Sequence, residues 1–449
     1  MSNPPDPSPT SKPKKPTLIE TVSWALYDWA NTGYAMVVLA LIFPRLYNSY
    51  FGSQLADGQQ TTWFTMTVAV SSLIVAVLAP LLGSIGEMGG LRKRLLLRFA
   101  AVGIVATAGC FLIREGQYWL ASLIYIVGTV SYYSSNIFFD SMLASVSTPK
   151  RRHLVSGLGF SFGYAAGFIL LLLTFLATSK HEWFGFENAL VGSQVMFVVA
   201  AIWWAVFTIP LSLTVKEKPR PDRPSVRRMA ILGIHDTWAT LKQILRLKPA
   251  LWFLLAYLFY IDGVNTIIMT ASNYGTTIGF SDSQIIQAFF IVQIFGVPCA
   301  ILFGWLGGRI GPRRMIFIAI LIYLGVTTYG VFLDTTPTPI FGFEISEMFV
   351  LAALIGTVQG GIQALSRSYF SSLIPPGREV SFFGFYSMIG KSAAVMGPAL
   401  MGTMAFLFYD SSNPALSTRI GLGSVAILFV IGGAFLGVAG HHDKRCSVN

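Results

Sequence analysis

Apolar stretches long enough to cross ~30 Å of hydrocarbon recur along the chain at about 17–45, 62–86, 95–114, 117–146, 154–178 and 190–214. A second set falls at about 250–275, 283–308, 315–333, 345–372, 381–408 and 418–440. The pattern is six, a polar break, then six. A backbone in lipid must bond to itself, so each stretch predicts a transmembrane helix. The break, 215–249, opens with the Pro-rich basic run KEKPRPDRPSVRR, which suits an extended linker. Trp238, Leu241, Ile244, Leu245 and Lys248 follow at helical spacing and predict a short amphipathic helix on the membrane surface. The expected organisation is a disordered cytoplasmic tail (1–16), an N-terminal six-helix bundle (17–214), a cytoplasmic linker with an amphipathic helix (215–249), a C-terminal six-helix bundle (250–440) and a cytoplasmic tail (441–449). The fold class is an all-α membrane protein of 12 helices in two pseudo-symmetric bundles.

Composition strengthens this reading. Apolar residues make up 54% of the 449, and charged residues only 11%, against roughly 25% in a soluble domain. The net charge of +11 would suit nucleic acid, but its placement argues for topology. With the N-terminus in the cytoplasm, 26 of the 31 Lys and Arg fall on the cytoplasmic side and four outside, and Lys391 stays within a span. Both termini and the linker are therefore expected in the cytoplasm, and no nucleic-acid partner is expected. The polar, Pro-rich start has no apolar core or cleavage site, so it does not read as a signal peptide. Cys110, Cys299 and Cys446 lie too far apart for a disulfide framework or zinc spacing and read as small apolar fillers. No phosphate-binding loop, metal-ligand spacing or nucleophile constellation is legible. The expectations are no enzyme activity, no cofactor, no metal, no ATP drive and a monomer.

The two halves repeat each other. Asp28-Trp-Ala-Asn31-Thr32 reappears as Asp262-Gly-Val-Asn265-Thr266, each Asp about 18 Å into its span at 1.5 Å per residue. At a constant offset of 227, Ser141, Ser145, Pro149, Arg151, Gly157 and Gly163 fall on Ser368, Ser372, Pro376, Arg378, Gly384 and Gly390. The same offset sets Asp140 opposite Arg367 and Tyr164 opposite Lys391. The loops after the second and eighth spans also match: Gly83, Glu87, Gly90, Arg92 and Lys93 correspond to Gly304, Gly308, Gly311, Arg313 and Arg314. Parallel halves of this kind place a substrate site between them, near the midplane.

That loop, G-x-x-x-[DE]-x-x-G-x-R-[KR], resembles the signature of the major facilitator superfamily, with Glu87 for the usual Asp and Gly308 at the acidic place of the second copy. More specific are WALYDWANTGYA (24–35), FFDSML (138–143), FLLAYLFYIDGVNTI (253–267), GTVQGGIQALSRSYFSSLIP (356–375) and FFGFYSMIGKSAAVMGP (382–398). These resemble the branch holding the autophagy-related vacuole amino-acid effluxers and their bacterial relatives, over essentially the whole membrane portion. The resemblance implies two six-helix bundles, alternating access and amino-acid-like solutes. It also implies that spans 1, 4, 7 and 10 line the central cavity. The chain departs at Ser381, where the branch commonly has Glu before Phe-Phe-Gly, so a gating role of that Glu does not carry over.

Charges at bilayer depth cost at least ~2.5–3.5 kcal/mol on insertion scales and so mark candidate function. Asp28, Asp140, Asp262 and Lys391 lie at that depth, with Arg367 nearer the cytoplasm. Helical spacing puts Tyr132, Asn136 and Asp140 on one face, Gln359, Gln363 and Arg367 on another, and the two D-x-x-N-T triplets each on a face of their own. One reading is a buried network of Asp140, Arg367 and Lys391 that holds the halves together. The other is a wet site in which an amino acid sets its ammonium against Asp28 or Asp262 and its carboxylate against Lys391 or Arg367. The repeat predicts that Asp28 and Asp262 face one another across the cavity. The candidates for substrate or proton coupling are Asp28, Asn31, Asp140, Asp262, Asn265, Gln359, Gln363, Arg367 and Lys391. Those for the gate are Gly83, Glu87, Gly90, Arg92, Gly304, Gly311 and Arg313, with Glu87 expected on the Arg92–Arg94 cluster or a neighbouring helix end. Gly159, Gly163 and Gly167 read as a close-packing stripe, and His153, His181, His235, His441 and His442 as solvated.

The sequence thus points to a secondary transporter of small polar, amino-acid-like solutes, with H+ coupling open because an intramembrane Asp can titrate as its exposure changes. An exporter of amphipathic drugs or lipids, which the 14% aromatic content would serve, stays open beside it. So does a non-transporting receptor or scaffold, against which stands the lack of a sizeable extramembrane domain. A bacterial inner membrane is the expected location.

Overall fold

The structure is a computed structural model that describes residues 15–56, 58–217, 226–340, 342–393, 395–409 and 413–446. The tail expected at 1–16 therefore lies almost wholly outside the described residues, as do most of the Pro-rich linker run and the last three residues. In chain order the helices of the first half are α1 (Leu18–Tyr34), α2 (Ile42–Leu46), α3 (Gln59–Gly89), α4 (Arg92–Gly109), α5 (Tyr118–Ser141), α6 (Leu143–Val146), α7 (Arg152–Ser179) and α8 (Ala189–Thr214). After the linker helix α9 (Val226–Arg246) come α10 (Lys248–Ile278), α11 (Asp282–Ile310) and α12 (Pro312–Val331). A short hairpin, β1 (Thr338–Ile340) and β2 (Phe343–Ile345), precedes α13 (Glu347–Leu373), α14 (Glu379–Ser392), α15 (Met396–Leu407), α16 (Pro414–Ser424) and α17 (Ala426–Cys446).

Local chemistry sets the ends. Thr17 and Glu20 form a capping box at the start of α1, and Ser281 and Gln284 do the same for α11. Past Tyr34 the first helix runs on through π-helical turns at Ala35–Leu41 and Tyr47–Phe51, so the expected end at 45 is exceeded. The last helix likewise runs past the expected 440, to Cys446.

Among the described residues, ten helical stretches are long and apolar enough to cross a membrane. The fourth and eleventh expected spans are not among them, for different reasons. The fourth, α5, is 24 residues long but carries many serines and tyrosines. The eleventh is divided between α14, which ends at Ser392, and α15, which starts at Met396. Polar or broken helices at membrane depth are tolerated where protein or a wet cavity covers them, and both of these helices carry the candidate charges.

The halves meet most closely along two crossings, α3 with α14 and α7 with α11, with α13 also packed on α7. Each is made at a pair of glycines. A Cβ on Gly83 would lie 2.7 Å from the Val380 carbonyl oxygen and 3.2 Å from the Gly384 Cα. A Cβ on Gly304 would lie 2.7 Å from the His153 carbonyl oxygen and 3.3 Å from the Gly157 Cα. The sequence repeat matched Gly83 with Gly304 and Gly157 with Gly384, and the structure joins them crosswise, as a two-fold relation between the halves requires.

Candidate functional site

Between the halves lies a cavity of about 880 Å³. Its lining runs from Asp28 and Gln363 at the floor to Arg45, Ser179 and Asp282 at the mouth. The mouth residues sit at helix ends away from the basic loops, so the cavity opens at one end only. Asp28, Asn31, Gln359 and Gln363 all line it, on the spans that the resemblance assigned to the cavity and the faces that periodicity gave, together with Thr32 and Tyr132. Asn31 is held in place by α5, where its Nδ2 donates to Asn136 Oδ1 at 2.8 Å. Gln293, which sequence reasoning missed, and Tyr164, which the repeat had only set opposite Lys391, cross from one half to the other. Gln293 Nε2 reaches Met36 Sδ at 3.5 Å, and the Tyr164 ring fills the space that side chains at Gly296 and Gly360 would take.

Beneath the floor sits Arg367, 3% exposed. It comes from α13 but is held by the first half. Its Nη1 donates to Asp140 at 3.0 Å, its Nη2 to Asp28 and to the Ser156 carbonyl at 3.1 Å each, and its Nε to Ser156 Oγ at 3.0 Å. The rings of Trp24, Phe139 and Phe160 enclose the guanidinium, with centroids at 4.8, 5.3 and 4.5 Å. Only the planar fork of Arg can serve acceptors in so many directions. Asp140 and Arg367, matched by the repeat, thus pair directly. Ser156 and the aromatic cage carry no sequence signal, because they belong to α7, α1 and α5 and meet only on folding. Gly159 gives a further correction. Its hydrogen faces Asp28 Oδ2 and Arg367 Nη2, so this glycine makes room for an ion pair as well as for a helix.

Three candidates stand elsewhere. Lys391 is no part of that buried network, for it is half-buried with its Nζ 3.7 Å from the Tyr133 ring centroid. Asp262 does not face Asp28. It is fully buried, and its Oδ2 accepts the Gly397 amide at 2.9 Å at the start of α15. Its Oδ1 has no hydrogen-bond partner among the described residues. The break in the eleventh span exposes the amide end of a new helix, and Asp262 occupies it; beside Asp28 stand Gly159 and Arg367 instead. Asn265 is half-buried and outside the cavity lining.

At the opposite end from the mouth the halves are clamped shut. Arg92 donates to Glu87 at 2.9 Å and to Glu379 at 2.8 Å. The other oxygen of Glu87 accepts the amides of Val380 and Ser381, at 2.7 and 3.3 Å, from the first turn of α14. Glu87 therefore meets both an arginine and a helix end, where the amide dipoles favour an anion. Glu379, two residues before the departing Ser381, supplies a carboxylate that the sequence reading overlooked. Behind the clamp, Glu217 caps α4 by accepting the Lys93 amide at 3.2 Å, and burial raises its carboxyl above the usual range. Gly90 ends α3 at φ 57°, a left-handed turn suited to glycine, and Gly311 ends α11 at φ 101° and ψ 134°, a different positive-φ conformation. Arg313, the counterpart of Arg92, has Gly308 in place of the acidic residue, and its guanidinium packs against Gly440. His153 is half-buried between the halves, its Nδ1 2.9 Å from Ser368 Oγ, and not solvated as expected. Glu87→Gln keeps the shape but weakens three charge-assisted bonds. We expect slower turnover at near-normal expression, measured as initial rates in proteoliposomes; unchanged kinetics would remove Glu87 from the gate.

The sequence matches the family described as "Vacuole effluxer Atg22 like" over residues 48–443. It is 35% identical over 419 residues to the MFS-type transporter YxiO of Bacillus subtilis, covering 91% of this chain and 92% of that one. It is 26% identical to autophagy-related protein 22 of Kluyveromyces lactis, over 76% of this chain and 72% of that protein. The fold matches the human organic anion transporter MFSD10 with a TM-score of 0.65 at 14% identity, covering 94% of this chain and 100% of that structure.

Proposed function

We propose, because the chain belongs to the Atg22-like family of major facilitator transporters, that it moves a small polar, amino-acid-like solute across its membrane by alternating access. The observation that carries the reading is the single-ended cavity with Asp28, Asn31, Gln359 and Gln363 at its floor and Arg367 directly beneath. Carboxylate and amides together can bind both ends of a zwitterion, the carboxylate its ammonium and the amides its carboxylate, while Arg367 holds Asp28 in place from below. The closed end is clamped by Glu87 and Arg92, so the same cavity is served from the other side once that clamp releases.

Coupling to H+ belongs to the proposal. Arg367 faces two carboxylates, so ionising both leaves one negative charge without a partner in the site. A proton, or the ammonium of a solute, completes the balance. The experiment is a thermal-shift screen of the purified protein against amino acids, peptides and lipids, followed by counterflow of any binder in proteoliposomes. Stabilisation by amino acids supports the reading; stabilisation by amphipathic compounds alone would favour the drug or lipid exporter.

The basic end is proposed to be cytoplasmic, in a bacterial inner membrane, which makes this conformation outward-open. A cysteine placed at 182 should react with an impermeant thiol reagent added outside intact cells, and one at 230 should not. The reverse pattern would invert the topology and with it the named conformation.

A further inference from the structure

The linker helix α9 has two faces with different chemistry. Its inner face packs on the closed gate and touches both halves. Thr237 Oγ1 lies 3.1 Å from Ser84 Oγ on α3, Gly233 sits against Leu81 and Ile85 of the same helix, and Asp236 pairs with Arg378 at 2.9 Å at the start of α14. These are the two helices that Glu87 and Arg92 clamp.

The outer face is exposed and apolar along one stripe. Ile231, Ile234, Trp238 and Leu245 are 63%, 59%, 62% and 53% exposed and recur at helical spacing. Beside that stripe, turned by less than a quarter of the helix, stand exposed His235, Lys242 and Arg246. The position of α9 says what covers this face. Leu73 and Val77 are exposed on α3, where the bundle meets lipid. One turn at a time that row continues into Leu81 and Ile85, against which α9 lies. The helix is therefore seated at the rim of the bundle, where hydrocarbon gives way to headgroups. An apolar stripe with Trp, bordered by cationic side chains, matches that boundary.

We propose that α9 docks on anionic phospholipid headgroups of the leaflet at the basic end, with Ile231, Ile234, Trp238 and Leu245 in the acyl boundary and Lys242 and Arg246 on the phosphates. Because its other face bridges α3 and α14, surface charge of the membrane then bears on how readily the gate opens. The inference stands on α9 alone and does not depend on which solute is carried.

The test is hydrogen–deuterium exchange of residues 231–246 in the full-length protein, in nanodiscs of phosphatidylcholine alone and of phosphatidylcholine with phosphatidylglycerol. Exchange is expected to be on the order of tenfold slower in the anionic discs, since two cations are attracted to them. Lys242→Gln with Arg246→Gln should abolish that difference, and Trp238→Ser should speed exchange in both discs. The wild-type comparison needs no variant to fold. Equal exchange in the two lipids would overturn the proposal, as would a lipid difference that survives the double substitution. Protection that appears only with a co-purifying protein would reassign the face to a protein partner.

Discussion

Arg367→Gln is expected to abolish transport and to lower stability by about 3–5 kcal/mol, the usual effect of breaking a buried ion pair from one side. Wild-type Arg367 makes four hydrogen bonds to Asp28, Asp140 and Ser156, from a position 3% exposed. Glutamine reaches fewer of these acceptors and brings no charge, so two carboxylates are left facing one another without a cation. The loss should show as a fall in melting temperature in detergent and as absent counterflow. Adding Asp140→Asn should recover part of the stability, because it removes one unpaired charge, without recovering transport. Arg367→Lys should rescue little, since an ammonium cannot span acceptors set so far apart by the fork. A variant that melts and transports like the wild type would show that the network is ornamental to both.

Asp28→Asn is the second large effect. It preserves size and leaves Arg367 paired with Asp140, so the fold should survive with a melting temperature near that of the parent. What it removes is the carboxylate that both touches Arg367 and lines the cavity floor. Concentrative uptake or efflux is expected to vanish. The mode of failure separates the two roles. If Asp28 carries the coupling proton, exchange down a gradient continues and no longer responds to a pH difference across the membrane. If it holds the solute, both modes fail and the thermal shift with the binding solute disappears. Accumulation at the parental rate against a gradient would leave Asp28 a packing residue. Asp262→Asn is not expected to copy this phenotype, although the repeat gives both residues the same motif, because Asp262 is sealed against the start of α15.

That contrast marks how far the sequence reaches. Span positions, the basic loops and the helix faces follow from what lipid demands of each segment separately, so they could be read along the chain. Periodicity alone put Asn31 beside Asp28 and Gln363 beside Gln359, and the structure has all four on the cavity floor. The repeat went further. It paired Gly83 with Gly304 and Gly157 with Gly384, and it set Asp140 opposite Arg367, which meet at 3.0 Å. Glu87 beside Arg92 was legible because they stand only five positions apart.

Tertiary structure alone decided the rest. Asp28 and Asp262 share a motif, yet a motif fixes only a place on a helix. Their partners come from other helices, and there the halves differ: the eleventh span breaks before α15 and the fifth runs unbroken through Gly159. Lys391 could not be told from a member of the buried network until folding set it over Tyr133. Ser156, Glu379 and Asp236 acquire meaning only from groups 211, 287 and 142 residues away. Hydrophobic patterning is a property of each segment in its solvent, so the chain carries it openly; a charge's partner is a property of the packed interface, and the chain states it only where duplication has written both sides.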